Sequence, residues 1–160
     1  MKLKPEDRQA FERMRPGVIT AQGFLGIDIR PPEEIVVEDE QEFSRLGLDF
    51  EAVANRMEAL RAEGEKGLGE PVTVGTLLVQ TGDARGMLPC PWNDGLYHKN
   101  AISVRPAELA EAACVEGEEM LVFSDLSIHL LRVHHFCQGR GSPFRLEPEL
   151  IAALLGKEGK

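Results

Sequence analysis

The metal-binding and nucleophilic residue types of this sequence are concentrated in one short stretch. The chain has four histidines and three cysteines, and four of these residues fall between positions 129 and 137: His129, His134, His135 and Cys137. Imidazole nitrogen and thiolate sulfur suit zinc, which prefers four ligands in a tetrahedron at structural sites. The stretch therefore suggests a zinc site as the first hypothesis.

Helical geometry restricts that hypothesis, because the stretch is predicted to be one helix. His134 and Cys137 are three residues apart and share a helix face. His129 and His134 point about 140° apart at five residues' separation, so we expect that they do not bind the same ion. We assign His134 and Cys137 as candidate ligands, completed from elsewhere in the chain: by His98, which we assign, or by Cys90 or Cys114.

A simpler interpretation of the same residues is structural. Neither a CxxC pair nor an HExxH motif is present to support a metal site. Free cysteine often behaves as a small buried hydrophobe. We favour this interpretation, in which His129 and Cys137 pack in the core, so no cofactor is predicted and zinc is kept as the ion that the cluster would suit.

A second set of residues could support nucleophilic catalysis. Asp125 and His129 are four residues apart on the predicted helix, where a carboxylate would orient the imidazole and raise its basicity. Cys90, between two prolines, is the candidate nucleophile for this pair. Asp125 also has a structural explanation, since acidic residues are favoured in the first turn of a helix.

A third candidate is a glycine- and arginine-containing segment at 138–145. Its Arg140, Ser142 and Arg145 could bind a small anion together with backbone amides. The alternative is a connector whose arginines pair with the acidic front half of the chain. Trp92, in a turn-rich stretch that also holds the only tyrosine, is a further candidate for ligand recognition.

The surrounding elements predict an α+β fold. We expect about four strands between residues 72 and 123, forming a small antiparallel sheet that packs against flanking helices in two layers. Strands are predicted at 72–80, 87–90, 96–104 and 119–123, with a turn at 81–83. The helices are predicted at 5–14, at 50–64 behind an Asp49 cap, at 124–137 behind a Ser124 cap and after Pro148, with shorter ones starting near Asp39 and Pro106.

Length and charge limit the classes of function. The 160 residues fit a single domain, 1–160, and the net charge of −9 argues against binding to nucleic acid. No apolar run reaches the roughly 18–20 residues of a membrane span, and three cysteines fit a reducing cytoplasm. We expect a non-enzymatic binding or interaction module with a protein partner or a small anionic ligand. The alternative is a small metal- or Cys/His-dependent enzyme built around helix 124–137.

Overall fold

The computed structural model describes residues 4–107 and 120–156, and shows an α+β fold in which helices pack on an antiparallel sheet. This confirms the predicted fold class. The elements, in chain order, are α1 (Pro5–Arg13), α2 (Pro32–Leu46), α3 (Phe50–Glu65), β1 (Val72–Val74), β2 (Leu77–Pro89), β3 (Leu96–Pro106), β4 (Leu121–Phe123), α4 (Asp125–His134) and α5 (Pro148–Leu155).

The four strands lie in the order β1-β2-β3-β4, and every neighbouring pair is antiparallel. The strand predicted at 72–80 is two strands, because Gly75 takes a positive φ of 62° and turns the chain between them. The turn predicted at 81–83 is wrong. Those residues continue β2 and pair with Ile102, Ala101 and Asn100 in the long β2–β3 ladder.

Local capping signals correctly placed the beginnings of three helices. The Asp49 side chain accepts a hydrogen bond from Ala52 N at the start of α3, and Ser124 forms a capping box with Ser127 at the start of α4. Pro148 is the first residue of α5. Helix α2 begins at Pro32, earlier than the predicted Asp39, which is buried inside it. The helix expected after Pro106, together with Cys114, lies outside the described residues.

Helix α4 lies between two hydrophobic clusters and contributes to both. Ile128 and Leu131 pack into the larger one, which is formed by α3, the sheet and α5. Leu126 and Leu130 pack into a smaller one with residues of α1, α2 and the loop after β2, including Cys90. Because α4 is held on both sides, the side chains along its remaining face have a fixed position relative to the β2–β3 hairpin.

Helix α4 is also shorter than predicted. It ends at His134 because His135 takes a left-handed conformation, with φ of 53°. The chain then runs on without regular structure, which buries Phe136 in the smaller cluster and Cys137 in the larger one. Among the described helices, none is long and apolar enough to cross a membrane.

Candidate metal centre

The loop between β2 and β3 brings Cys90 and Asp94 to the same side of the hairpin. Cys90 N donates to Gly95 O at 3.0 Å, and Asn93 N donates to Cys90 O at 2.7 Å. Asn93 takes a positive φ of 62°, a conformation that asparagine tolerates better than most residues. These contacts close the loop tightly, so that a thiol and a carboxylate four residues apart face α4.

The last two turns of α4 supply two imidazoles to the same place. His129 Nε2 lies 2.9 Å from Asp94 Oδ1, and His134 Nε2 lies 2.8 Å from Asp94 Oδ2. The two rings meet edge to face with centroids 5.3 Å apart. Both imidazoles therefore reach one carboxylate, although their positions on the helix predict that they point about 140° apart and do not bind the same ion. The prediction considered only positions around the helix axis, and not the reach of the histidine side chains.

Cys90 completes a four-residue cluster. Its Sγ lies 3.6 Å from His134 Nε2. One ligand atom from each of Cys90, Asp94, His129 and His134 lies within 4.8 Å of the other three. We call this set the Cys-Asp-His-His cluster. Four potential ligand atoms from the β2–β3 loop and α4 therefore lie close together.

The protonation states of the cluster follow from its partial burial. Burial opposes ionisation of Asp94, but hydrogen bonds with Cys90 and His129 outweigh it and lower the pKa of Asp94 to about 2. Burial lowers the pKa of His134, although the charge of Asp94 opposes that shift. Burial, reinforced by Asp94, raises the pKa of the Cys90 thiol to about 12. At neutral pH the cluster therefore holds a carboxylate, a thiol and, at His134, a neutral imidazole.

Two aromatic rings hold the imidazoles in place. Trp92 stacks on His134 with ring centroids 4.1 Å apart, and Tyr97 stacks on His129 at 4.6 Å. Trp92 Nε1 donates to Asp7 Oδ1 at 3.0 Å, which fixes the indole against α1. Trp92, a candidate for ligand recognition, thus contacts a member of the cluster.

The predicted metal ligands divide between this cluster and other places. His134 belongs to the cluster. Cys137 is fully buried in the larger hydrophobic cluster, where burial raises its pKa strongly. His98 faces Asp83 on the exposed side of the hairpin, at 3.6 Å, and His135 Nδ1 lies 2.7 Å from Glu40 Oε2. The structure does not bring Cys137 or His98 to His134.

The predicted catalytic residues are only partly brought together. Cys90 and His129 both lie in the cluster, but Asp125 does not orient His129. Asp125 instead lies 3.1 Å from Arg61 Nε of α3, near the opposite end of α4. The carboxylate beside His129 is that of Asp94, and not that of Asp125 as the four-residue spacing predicts.

The arginines of the 138–145 segment already have carboxylate partners. Arg145 forms a buried two-point pair with Asp39 at 2.6 and 2.9 Å, and Arg140 pairs with Glu38 at 2.6 Å. Ser142 Oγ donates to Gln138 Oε1 at 2.6 Å. The segment thus has the form of the connector that sequence reasoning offered as its alternative to an anion site.

Asp94 is the cluster residue that sequence reasoning did not select. The only signal for it is that Cys90 and Asp94 lie four residues apart in a turn-rich loop directly after a strand. That spacing matches no established metal motif, so it does not single out the aspartate. The contact with α4 depends on the packing of the hairpin against the helix, which local sequence does not show.

Comparisons with protein-family models, with curated proteins and with solved structures give no match to this chain. Its function must therefore be inferred from the chemistry of the site.

Proposed function

We propose that this chain is a metal-binding module and that the Cys-Asp-His-His cluster holds Zn²⁺ or a similar divalent transition metal. The observation that carries the proposal is the convergence of four ligand atoms within 4.8 Å of one another. The set combines one sulfur, two imidazole nitrogens and one carboxylate oxygen, all of which zinc accepts.

The spacing of the ligand atoms supports this choice. Tetrahedral zinc, with bonds of about 2.3 Å to sulfur and 2.0–2.1 Å to nitrogen, places those two atoms about 3.6 Å apart. Cys90 Sγ and His134 Nε2 are 3.6 Å apart. The Asp94 oxygens lie closer to the imidazoles, at 2.8 and 2.9 Å, as direct hydrogen bonds require. Metal binding would replace these hydrogen bonds and move the carboxylate outward by about 0.5 Å.

The same geometry argues against a Cys-His-Asp nucleophile. In such a triad the nucleophile and the carboxylate bond to opposite nitrogens of the histidine. Here Cys90 Sγ and Asp94 Oδ2 both face Nε2 of His134. The pKa of Cys90, raised to about 12, is also opposite to that of an activated thiolate. A metal would reverse this, because a coordinated thiol loses its proton.

Four protein ligands would make the centre closed, which is typical of structural rather than catalytic zinc. We therefore favour a non-enzymatic module whose fold or partner binding depends on the metal. A metal-dependent enzyme is the second candidate, and one observation favours it. The Asp94 side chain is 39% exposed, against 11% for His129 and 16% for His134, so water could replace this ligand and open a coordination position.

The first experiment is elemental analysis of protein purified without chelators or a histidine tag, followed by Co²⁺ titration of the metal-free protein. We expect about one equivalent of metal and the visible spectrum of tetrahedral Co²⁺ with a sulfur-to-metal charge-transfer band. His134→Asn should weaken binding more than the 10–100-fold that follows the loss of an outer-shell partner. His98→Asn, at an exposed position on the same hairpin, is the matched control and should bind like the unchanged protein.

Two results would overturn the proposal. One is that an equimolar amount of Co²⁺ gives no tetrahedral cobalt spectrum, and the other is that His134→Asn and His98→Asn weaken metal binding equally. In that case the cluster is a hydrogen-bonded contact between the hairpin and α4. Azide distinguishes the two forms of the proposal. A closed structural site should keep its cobalt spectrum, whereas an open catalytic site should bind the anion and change it.

We also propose that the protein acts in a reducing compartment, because a zinc ligand must stay a free thiol. Cys90 and Cys137 are both free and buried, which supports this. The cytoplasmic location and the identity of a protein partner stay predictions.

A further inference from the structure

A cavity of about 280 Å³ lies near the N-terminal end of α4, away from the Cys-Asp-His-His cluster. Its walls come from the loop at 20–24, from β2 and β3, from the start of α4 and from the 138–144 loop. None of the four cluster residues lines it. Its volume is just below the range of roughly 300–1,000 Å³ for small-molecule sites, so it suits a small ligand.

The cavity collects most of the buried polar groups of the described chain. In the described part of the chain, six polar or charged residues are buried. Four of these six line this cavity: Asn100, Ser124, Gln138 and Ser142. The remaining wall is largely apolar and includes Phe24, Leu88, Leu126 and Phe144. An apolar wall with a few converging polar groups is typical of a ligand site.

Two side-chain amides of this wall have their oxygens occupied and, among the described residues, their nitrogens free. Asn100 Oδ1 is used by Asp125 N, and Gln138 Oε1 is used by the Ser142 hydroxyl. Within the described part of the chain, the amide nitrogens of Asn100 and Gln138 donate to no acceptor. A primary amide carries two N–H donors on that nitrogen. Both side chains therefore have donor capacity left for a ligand.

The charge of the lining differs from that of the whole protein. The chain carries a net charge of −9, yet the lining contains Lys99 and no aspartate or glutamate. Among the described residues, Lys99 has no carboxylate within ion-pair distance. A cation together with amide donors is complementary to an anionic, acceptor-rich group.

Two loops that form the wall are fixed to each other before any ligand binds. Gly139 N donates to Phe24 O, and Ile27 N donates to Arg140 O, each at 2.9 Å. A Cβ on Gly26 would lie 2.3 Å from Ser142 N, and one on Gly139 would lie 2.3 Å from Leu25 O. Only glycine allows this approach, so the wall holds its shape by backbone contacts.

We propose that this cavity binds a small organic carboxylate with an apolar body. The carboxylate accepts hydrogen bonds from the Asn100 and Gln138 amides and faces the Lys99 ammonium. The apolar body packs against Leu88, Leu126 and the two phenylalanines. This inference does not depend on the metal centre, and it gives a specific site to the small anionic ligand that the sequence led us to expect.

The test is titration of ¹⁵N-labelled protein with benzoate and hexanoate, each compared with its neutral amide. We expect saturable shifts of the Asn100 and Gln138 side-chain amide signals with the carboxylates and weaker effects with the amides. Lys99→Met should weaken carboxylate binding roughly five-fold, as expected for an exposed ion pair, and leave amide binding unchanged. Lys66→Met, which removes a lysine paired with Glu63 on α3, is the matched control.

A second variant tests the apolar wall. Leu88→Phe narrows the cavity and should weaken carboxylates and amides alike. The proposal is wrong if neither carboxylate binds at millimolar concentration, if carboxylate and amide bind equally, or if Lys99→Met and Lys66→Met have the same effect. Repeating the titration with metal-loaded protein and with metal-free protein that circular dichroism shows to be folded separates the two sites, because the cavity should bind its probe in both.

Discussion

The Cys-Asp-His-His cluster and the 138–145 segment both carry several ionisable groups beside α4, but they use them differently. In the segment, Arg145 is paired with Asp39 and Arg140 with Glu38. In the cluster, one carboxylate serves two imidazoles while a thiol faces the same nitrogen as the carboxylate. Each arginine of the segment has a carboxylate partner of its own, whereas in the cluster two imidazoles and a thiol lie around the single carboxylate of Asp94.

This difference separates a structural network from a candidate site. A paired arginine and carboxylate satisfy each other and leave little for a ligand. In the cluster, a thiol sulfur and two imidazole nitrogens lie close together beside one carboxylate, and zinc accepts all of these atom types as ligands. Counting charged residues in a loop therefore says little about binding until their partners are known.

The largest effect should come from breaking the buried pair of the segment. Arg145 and Asp39 have side chains only 8% and 2% exposed. Arg145→Met leaves a carboxylate buried without its partner, which should lower the free energy of unfolding by about 3–5 kcal/mol. Urea denaturation followed by circular dichroism measures the change.

The double variant Arg145→Met with Asp39→Leu is the control for this prediction. Replacing both charges by apolar groups removes the unpaired carboxylate, so it should recover much of the lost stability. If Arg145→Met unfolds no more easily than the unchanged protein, Arg145 is not structural, and its assignment to an anion site regains support.

The next largest effect should appear at the cluster and only with metal present. Zinc that binds the folded state alone should stabilise it by about 2.7 kcal/mol at a free concentration 100-fold above Kd. Cys90→Ser should abolish this increment, since a serine hydroxyl is a poor zinc ligand. Cys137→Ala, which removes the thiol outside the cluster, should lower stability but keep the increment. An equal increment in both variants would contradict the metal assignment.

The fold was predictable from sequence wherever a local signal determined it. Ser124 and Asp49 cap their helices through contacts within three residues, and Pro148 begins α5. The early end of α4 was not predictable, because His135 takes a left-handed conformation that its residue type does not require. The sequence also did not show that the chain turns at Gly75 and continues as a strand through 81–83. Both stretches contain a glycine among strand-forming residues.

The candidate site was predictable only as an inventory of residue types. Cys90, His129 and His134 were all singled out, but they were assigned to different sites. The angle between positions on a helix does not give the reach of an imidazole. Asp94 is 35 and 40 residues away from its two histidine partners. Contacts of that separation depend on how the hairpin packs against α4, and a single sequence contains no measure of this.

A smaller effect is expected from an ion pair that borders the segment, and it depends on pH. Hydrogen bonds from Arg30 outweigh burial and lower the pKa of Asp28 to about 2. A lowered folded pKa stabilises the protein above the unfolded value of 3.8, and this stability is lost as pH falls toward 2. Asp28→Asn should therefore cost about 2 kcal/mol at pH 6 and about 1 kcal/mol at pH 3.

Urea denaturation at the two pH values measures this difference. Arg30→Met should remove the same pH dependence, and the double variant should lose little more than either single variant, since the two side chains act as one pair. A cost for Asp28→Asn that stays constant between pH 6 and pH 3 would show that its hydrogen bonds, rather than its charge, matter.

The smallest effect should come from Arg140, whose side chain is 58% exposed and pairs with the 41% exposed Glu38. Arg140→Gln should change the free energy of unfolding by less than about 1 kcal/mol, because exposed ion pairs are screened by water and salt. Its backbone N–H, which donates to Asp28 Oδ2, is retained in the variant. If Arg140 were instead part of an anion site, phosphate would raise the melting temperature of the unchanged protein and not that of the variant. We expect that phosphate changes the melting temperature of neither protein, since the Arg140 guanidinium is already paired with Glu38.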